Sequence, residues 1–214
     1  MAEATTLTTT NNSVFSGIQA FEDAQRIAKA LASSTLIPTQ FQGQQGFANC
    51  LVALEIANRM NISPFLAMQH LHVIHGRPSW SSSFIIAMIN GSGRFTPLRY
   101  ELSGEGESLA CYAVATDIKT DQELRGPTIT MVMANKEGWS TKSGSKWKTM
   151  PEHLIRLRSA SFWGRLYASD LLLGIQSQDE VIDVQPVTVR AALDDLNEQI
   201  NQPMPVVVDD DDIL

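Results

Sequence analysis

Apolar residues recur at helical spacing near the start of the chain. Phe21, Ala24, Ala28 and Leu31 share one face of a helix expected over about 18–32. A second helix is expected from Gly46 to Met60, where Phe47, Cys50, Leu51, Leu54 and Ala57 fall in register and Asn61 supplies a stop. "SPF" restarts a short helix, with Ser63 as N-cap and Pro64 at the first helical position. The pattern then changes. "HLHVIHGRPSW" reads as strand, tight turn, strand, and "SSSFIIAMINGSG" as a capped apolar helix ending at Asn90-Gly91. Three strands are expected next, at Phe95–Leu102, Leu109–Ile118 and about Thr128–Val132, separated by the polar stretches "SGEGES" and "KTDQELRGP". A Gly/Ser/Lys loop leads into a helix from Pro151 to about Leu173, and "SQDEVID" adds a turn.

These elements predict an α+β fold, a small antiparallel β-sheet (a hairpin plus a three-strand meander) packed by helices. Three regions are expected: a Thr/Asn-rich disordered N-terminus over residues 1–15, a core over 16–183, and a flexible acidic tail over 184–214 carrying one short amphipathic helix.

The net charge of −7 hides an uneven distribution. From Asp179 onward ten acids face Arg190 alone, so the preceding residues carry a net +2. Between Lys136 and Arg165 seven cations face only Glu137 and Glu152. The picture is a mildly basic body with a basic segment and an acidic tail. The apolar runs are too short to span a membrane and no leader pattern opens the chain, so a soluble, cytoplasmic protein is expected. Cys50 and Cys111 are isolated, which signals neither a disulfide framework nor a zinc site.

Candidate chemistry is sparse. His70 and His72 share a strand face and have the spacing to chelate a metal, but no carboxylate neighbours them in sequence. Half-buried sheet histidines are the simpler reading, and no metal site is assigned. A nucleophile elbow, a Walker A loop and a dinucleotide fingerprint are absent, so an enzyme is not expected. The basic segment remains. Lys142, Lys146, Lys148, Arg156, Arg158 and Arg165 suit a polyanion, and Trp139, Trp147 and Trp163 suit base stacking. Arg158 and Arg165 lie seven apart, on one line of the helix, with Arg156 nearly opposite. Ser159, Ala160, Ser161 and Gly164 keep part of that helix thin for another backbone to approach. Leu154, Ile155, Leu157, Phe162 and Leu166 surround most of it, so Phe162 and Trp163 also fit a core role, and the arginines a structural one.

The stretch "WKTMPEHLIRLRSASFWGRLYASDLLLGIQSQDEV" resembles the signature of the RecT/Redβ family of phage single-strand annealing proteins. It has a Trp, a Pro-started helix with a basic pair two residues apart, an Arg seven beyond the second, then "GI" and "DE". "NISPFLAMQHLHVIHGRP" and "FIIAMINGSGRF" are similar to upstream family segments, in the same order, so the likeness spans roughly residues 45–183. The resemblance implies ATP-independent binding of single-stranded DNA, pairing with a complementary strand, retention of the annealed duplex intermediate, and self-association into rings or helical filaments. Arg156, Arg158 and Arg165 match the family's basic positions, and Lys148 lies beside its Trp147. Where many members carry a lysine or aromatics after the hairpin, this chain has Trp80-Ser81-Ser82-Ser83, leaving hydroxyls and an indole to meet backbone or base. No cofactor is expected beyond Mg²⁺ as a counterion of the DNA. The tail end "VVVDDDDIL" resembles the acidic tip of bacterial single-stranded-DNA-binding proteins. Asp209, Asp210, Asp211, Asp212, Ile213 and Leu214 are therefore candidates for docking a partner or for competing with DNA. A plain solvated tail is the alternative. A host single-stranded-DNA-binding protein and a partner exonuclease are candidate partners. The rival functions are a passive single-strand-binding protein and a metal-dependent DNA nuclease.

Overall fold

The computed structural model describes residues 13–142 and 144–183 of the chain. The expected N-terminal disorder falls largely outside these residues, and the tail, with its short helix and its docking candidates, falls wholly outside them.

Helix α1 (Ile18–Ala32) buries Ala24, Ala28 and Ala32, one small side chain per turn, against α2 (Gly43–Met60). Small side chains let the two helices approach closely, and Cys50, Ala53, Leu54 and Ala57 complete the seam. Asn61 ends α2 in the left-handed conformation (φ 53°), which its short polar side chain tolerates. Helix α3 (Pro64–His70) starts on its proline. Ser63 holds the N-cap position but makes no side-chain cap bond, contrary to expectation.

Strands β1 (Leu71–Ile74) and β2 (Arg77–Trp80) form the expected hairpin, in register from Leu71↔Trp80 to Ile74↔Arg77. Its turn residues His75 and Gly76 both have positive φ, as a two-residue turn between twisted strands requires. Helix α4 (Ser82–Gly91) follows, with Ser81 Oγ accepting the Phe84 N–H at its start.

The second sheet departs from the expected meander. It has four strands, β3 (Arg99–Ser103), β4 (Ala110–Asp117), β5 (Gln122–Arg125) and β6 (Ile129–Thr130), all antiparallel and all paired to β4. One edge of β4 carries β3; the other is shared by β5 and β6. Strand β5, "QELR", reads as a polar separator because a largely exposed edge strand needs no apolar alternation. Its turn is closed by Asp117 Oδ1, which accepts from the Thr120 and Lys119 N–H groups, and these bonds hold that carboxyl below its usual range. Phe95 makes only a lone bridge to Asp117, two residues before Pro97, so β3 starts later than expected. The run after Thr130 is a helix, α5 (Met131–Lys136), capped by Thr130 Oγ1.

Helix α6 (Pro151–Tyr167) packs between this sheet and α4. Its thin face is used as expected. Ser159, Ala160, Ser161 and Gly164 are all buried, and Ser159 Oγ donates to the Cys111 carbonyl at 3.1 Å. A Cβ at Gly164 would lie 3.1 Å from both Ile89 and Leu172 methyls. The helix ends at Tyr167, short of the expected Leu173. Ala168 leaves helical geometry, and Leu172 turns inward to 1% exposure beneath that glycine. Helix α7 (Gln178–Asp183) then packs on β1 and β2. Two apolar clusters meet along α6. Trp163 and Ala160 join the larger, Ile155 the smaller, which also holds Trp139, Trp147, Ile129 and Cys111. Among the described residues no helix is long and apolar enough to cross a membrane.

Candidate nucleic-acid interface

Arg158 and Arg165 lie on one line of α6 but in different surroundings. Arg158 is 4% exposed, with its guanidinium 4.0 Å above the Trp139 ring and 5.9 Å from that of Phe162. Trp139 in turn packs on Trp147, ring centres 5.5 Å apart. The loop after α5 folds back to make this stack. Trp139 N–H returns to the Ala134 carbonyl, and Ser145 Oγ donates to the Trp139 carbonyl at 2.6 Å. A desolvated cation over an indole is worth about 2 kcal/mol. Trp139, Trp147 and Arg158 therefore pin the loop over the first half of α6. This corrects the expectation that Trp147 stacks on a base and that Arg158 presents its charge at the surface. The loop's lysines, Lys142, Lys146 and Lys148, are exposed.

Arg165 stands clear of that cover, its side chain about half exposed, and donates to Glu180 Oε1 at 2.6 Å. Glu180 is buried, and its other oxygen accepts from Ser177 N–H and Ser177 Oγ. With its orientation fixed by one N–H, the guanidinium keeps further donors for a ligand. Arg156, on another face, pairs with Glu152 one turn back and does not bridge to a neighbouring element through that bond.

Trp80 is wholly buried, contrary to its expected contact with DNA. Its indole donates to the Leu172 carbonyl at 3.2 Å and its ring packs on Phe84. The serines after it are also engaged. Ser81 caps α4 and meets His70 Nδ1, while Ser82 Oγ donates to Asp179 Oδ2 at 2.9 Å. Only Ser83 of the three is exposed. The acidic pair Asp179-Glu180 thus holds the segment after α6 onto α4 and α6. A backbone bond from Trp80 N–H to the Gln176 carbonyl, 2.8 Å, completes the attachment.

The attached segment creates a cleft. Arg77 and Pro78 of β2, Arg165 of α6, and Gly174, Ile175, Gln176 and Val181 enclose an open space of ≈ 430 Å³. Arg77, exposed at the start of the strand, forms no ion pair among the described residues. It was not singled out from the sequence, where the only available signal is a cation directly after a two-residue turn. The cleft adjoins the lysine loop, since Lys142 Nζ donates to the carbonyl of Ile182, the neighbour of Val181, at 3.1 Å.

His70 and His72 do not share a strand face as expected, because His70 is the last residue of α3 and only His72 stands on β1. His70 stacks on Phe84, His75 lies in the turn, and burial together with the nearby His70 pushes the His72 pKa down. Among the described residues no three His, Cys, Asp or Glu side chains converge as ligands. A scan against protein-family models and searches of curated proteins and of solved structures find no match to this chain.

Proposed function

We propose that this protein binds single-stranded DNA and anneals it to a complementary strand without nucleotide hydrolysis. The observation that carries the reading is the cleft in which Arg77 and Arg165, from elements far apart in sequence, face one open space bordered by the Lys142 loop. Two arginines lining one space suit a phosphate backbone, because a guanidinium offers several donors to anionic oxygens. The likeness of residues 147–181 to the RecT/Redβ signature supports the same reading.

Each protomer holds a few phosphates weakly, and self-association along the strand sums these contacts by effective concentration. The Watson–Crick edges that face away from the protein stay free to test an incoming strand. Base pairing then supplies the driving force, so the protein works as a scaffold rather than an enzyme, with Mg²⁺ needed only as counterion. The test is pairing of complementary oligonucleotides without ATP. Wild-type protein is expected to speed pairing, and the Arg77→Ala/Arg165→Ala double variant to lose that effect together with about 1.4 of the log–log salt slope of binding. A wild-type protein that coats strands without speeding their pairing is a passive binder, and the annealing reading then falls.

A further inference from the structure

The cleft holds two kinds of surface. Arg77 and Arg165 supply charge; Pro78, Ile175 and Val181 supply an apolar floor; Gln176 supplies an amide between them. The Gln176 backbone is fixed by the bond from Trp80 N–H to its carbonyl, and Ile175 N–H by one to the Leu172 carbonyl at 3.0 Å. The Gln176 carboxamide makes no hydrogen bond among the described residues, although the residue is half-buried. Gln176 thus lines a space of ≈ 430 Å³, within the usual range for a small-molecule pocket, with a donor and an acceptor not yet committed to another described residue.

Resting on the DNA-binding reading, we infer that this cleft holds one unpaired nucleotide of the bound strand. Its phosphate lies between Arg77 and Arg165, its base lies on Pro78, Ile175 and Val181, and its edge meets Gln176. Aromatic stacking is not the means of holding that base, because no aromatic side chain is among the described residues that line the cleft. A base within a duplex has its edge engaged and both faces stacked, and extracting it costs a few kcal/mol. The subsite therefore discriminates single strands from duplex, which charge alone does not do.

The experiment compares labelled oligo-dT with a hairpin duplex of equal length, using wild type, Gln176→Ala and Ile175→Thr. Both variants are expected to weaken single-strand binding about three- to ten-fold while leaving duplex affinity and the salt slope unchanged. Gln176→Ala removes no buried apolar group, so it decides the matter if Ile175→Thr fails to fold. An unchanged single-strand-to-duplex ratio in a folded Gln176→Ala protein overturns the subsite. Arg77→Ala/Arg165→Ala measured alongside separates the two levels. If it loses affinity while Gln176→Ala does not, only the nucleotide subsite is wrong. If it too binds like wild type, the DNA-binding reading fails with it.

Discussion

Arg158 and Arg165 sit two turns apart on the same line of α6, yet one is sealed beneath Trp139 and the other opens onto a cleft. Helical periodicity makes them equivalent; the loop between α5 and α6 does not. It covers the first half of the helix with Trp139 and Trp147 and leaves the second half to the segment carrying Glu180. A basic residue's place on a helical wheel thus fixes its direction but not what lies in that direction.

The comparison breaks most directly through stability. Arg158→Ala is expected to cost about 2–4 kcal/mol in urea denaturation, from the lost cation–π contact and lost packing. Lysine is not expected to restore it, lacking the planar face that lies on the indole. Arg165→Ala strips the buried Glu180 of its guanidinium but leaves it the Ser177 bonds, and is expected to cost less, about 1–2 kcal/mol. Equal losses would mean that the loop does not treat the two arginines differently.

A smaller effect sharpens the loop's role. Replacing Lys146 and Lys148 together by Ala is expected to lower the log–log salt slope of single-strand binding by about 1.4. Their side chains are exposed, so the thermal midpoint should stay near wild type. A lost slope with an unchanged midpoint assigns charge to the loop's outer side and packing to its inner side.

Glu55 provides a second buried acid to set beside Glu180. Burial raises its pKa, but bonds from Arg59, Ser13 and Val14 outweigh this and leave it lowered. A lowered folded-state pKa stabilises the protein above the unfolded value of about 4.3, and the contribution is lost as pH falls through the folded one. Glu55→Gln should therefore be less stable than wild type at pH 7, with the gap closing at lower pH in denaturation measured across that range. The smallest expected effect is spectroscopic: saturating oligo-dT should leave the tryptophan emission maximum in place, since every indole is already buried.

Much of the architecture was legible from residue order. The helix bounds at Ile18–Ala32, the stop at Asn61, the hairpin turn and the Ser81 cap all follow from local rules acting over a few residues. Strand β5 was not legible, because as an edge strand its pairing with β4 rather than its own apolar pattern makes it a strand. The early end of α6 was missed as well, because the burial of Leu172 under Gly164 outweighs a local pattern that allows another turn.

The candidate site divides the same way. The basic segment and its cation-rich loop stand out in sequence because charge density is a local property. The tryptophans stand out equally, but an indole suits a core as well as a base, and only the packing of Arg158, Trp139 and Trp147 decides between them. Arg77 could not be joined to Arg165 from the sequence, since 88 residues separate them. The sequence by itself determined the first helices, the hairpin with its turn, and the concentration of positive charge, all set by forces acting within a few residues. Tertiary structure decided which cations face solvent and which two share a cleft, because exposure and convergence depend on chain segments that meet only when the fold closes.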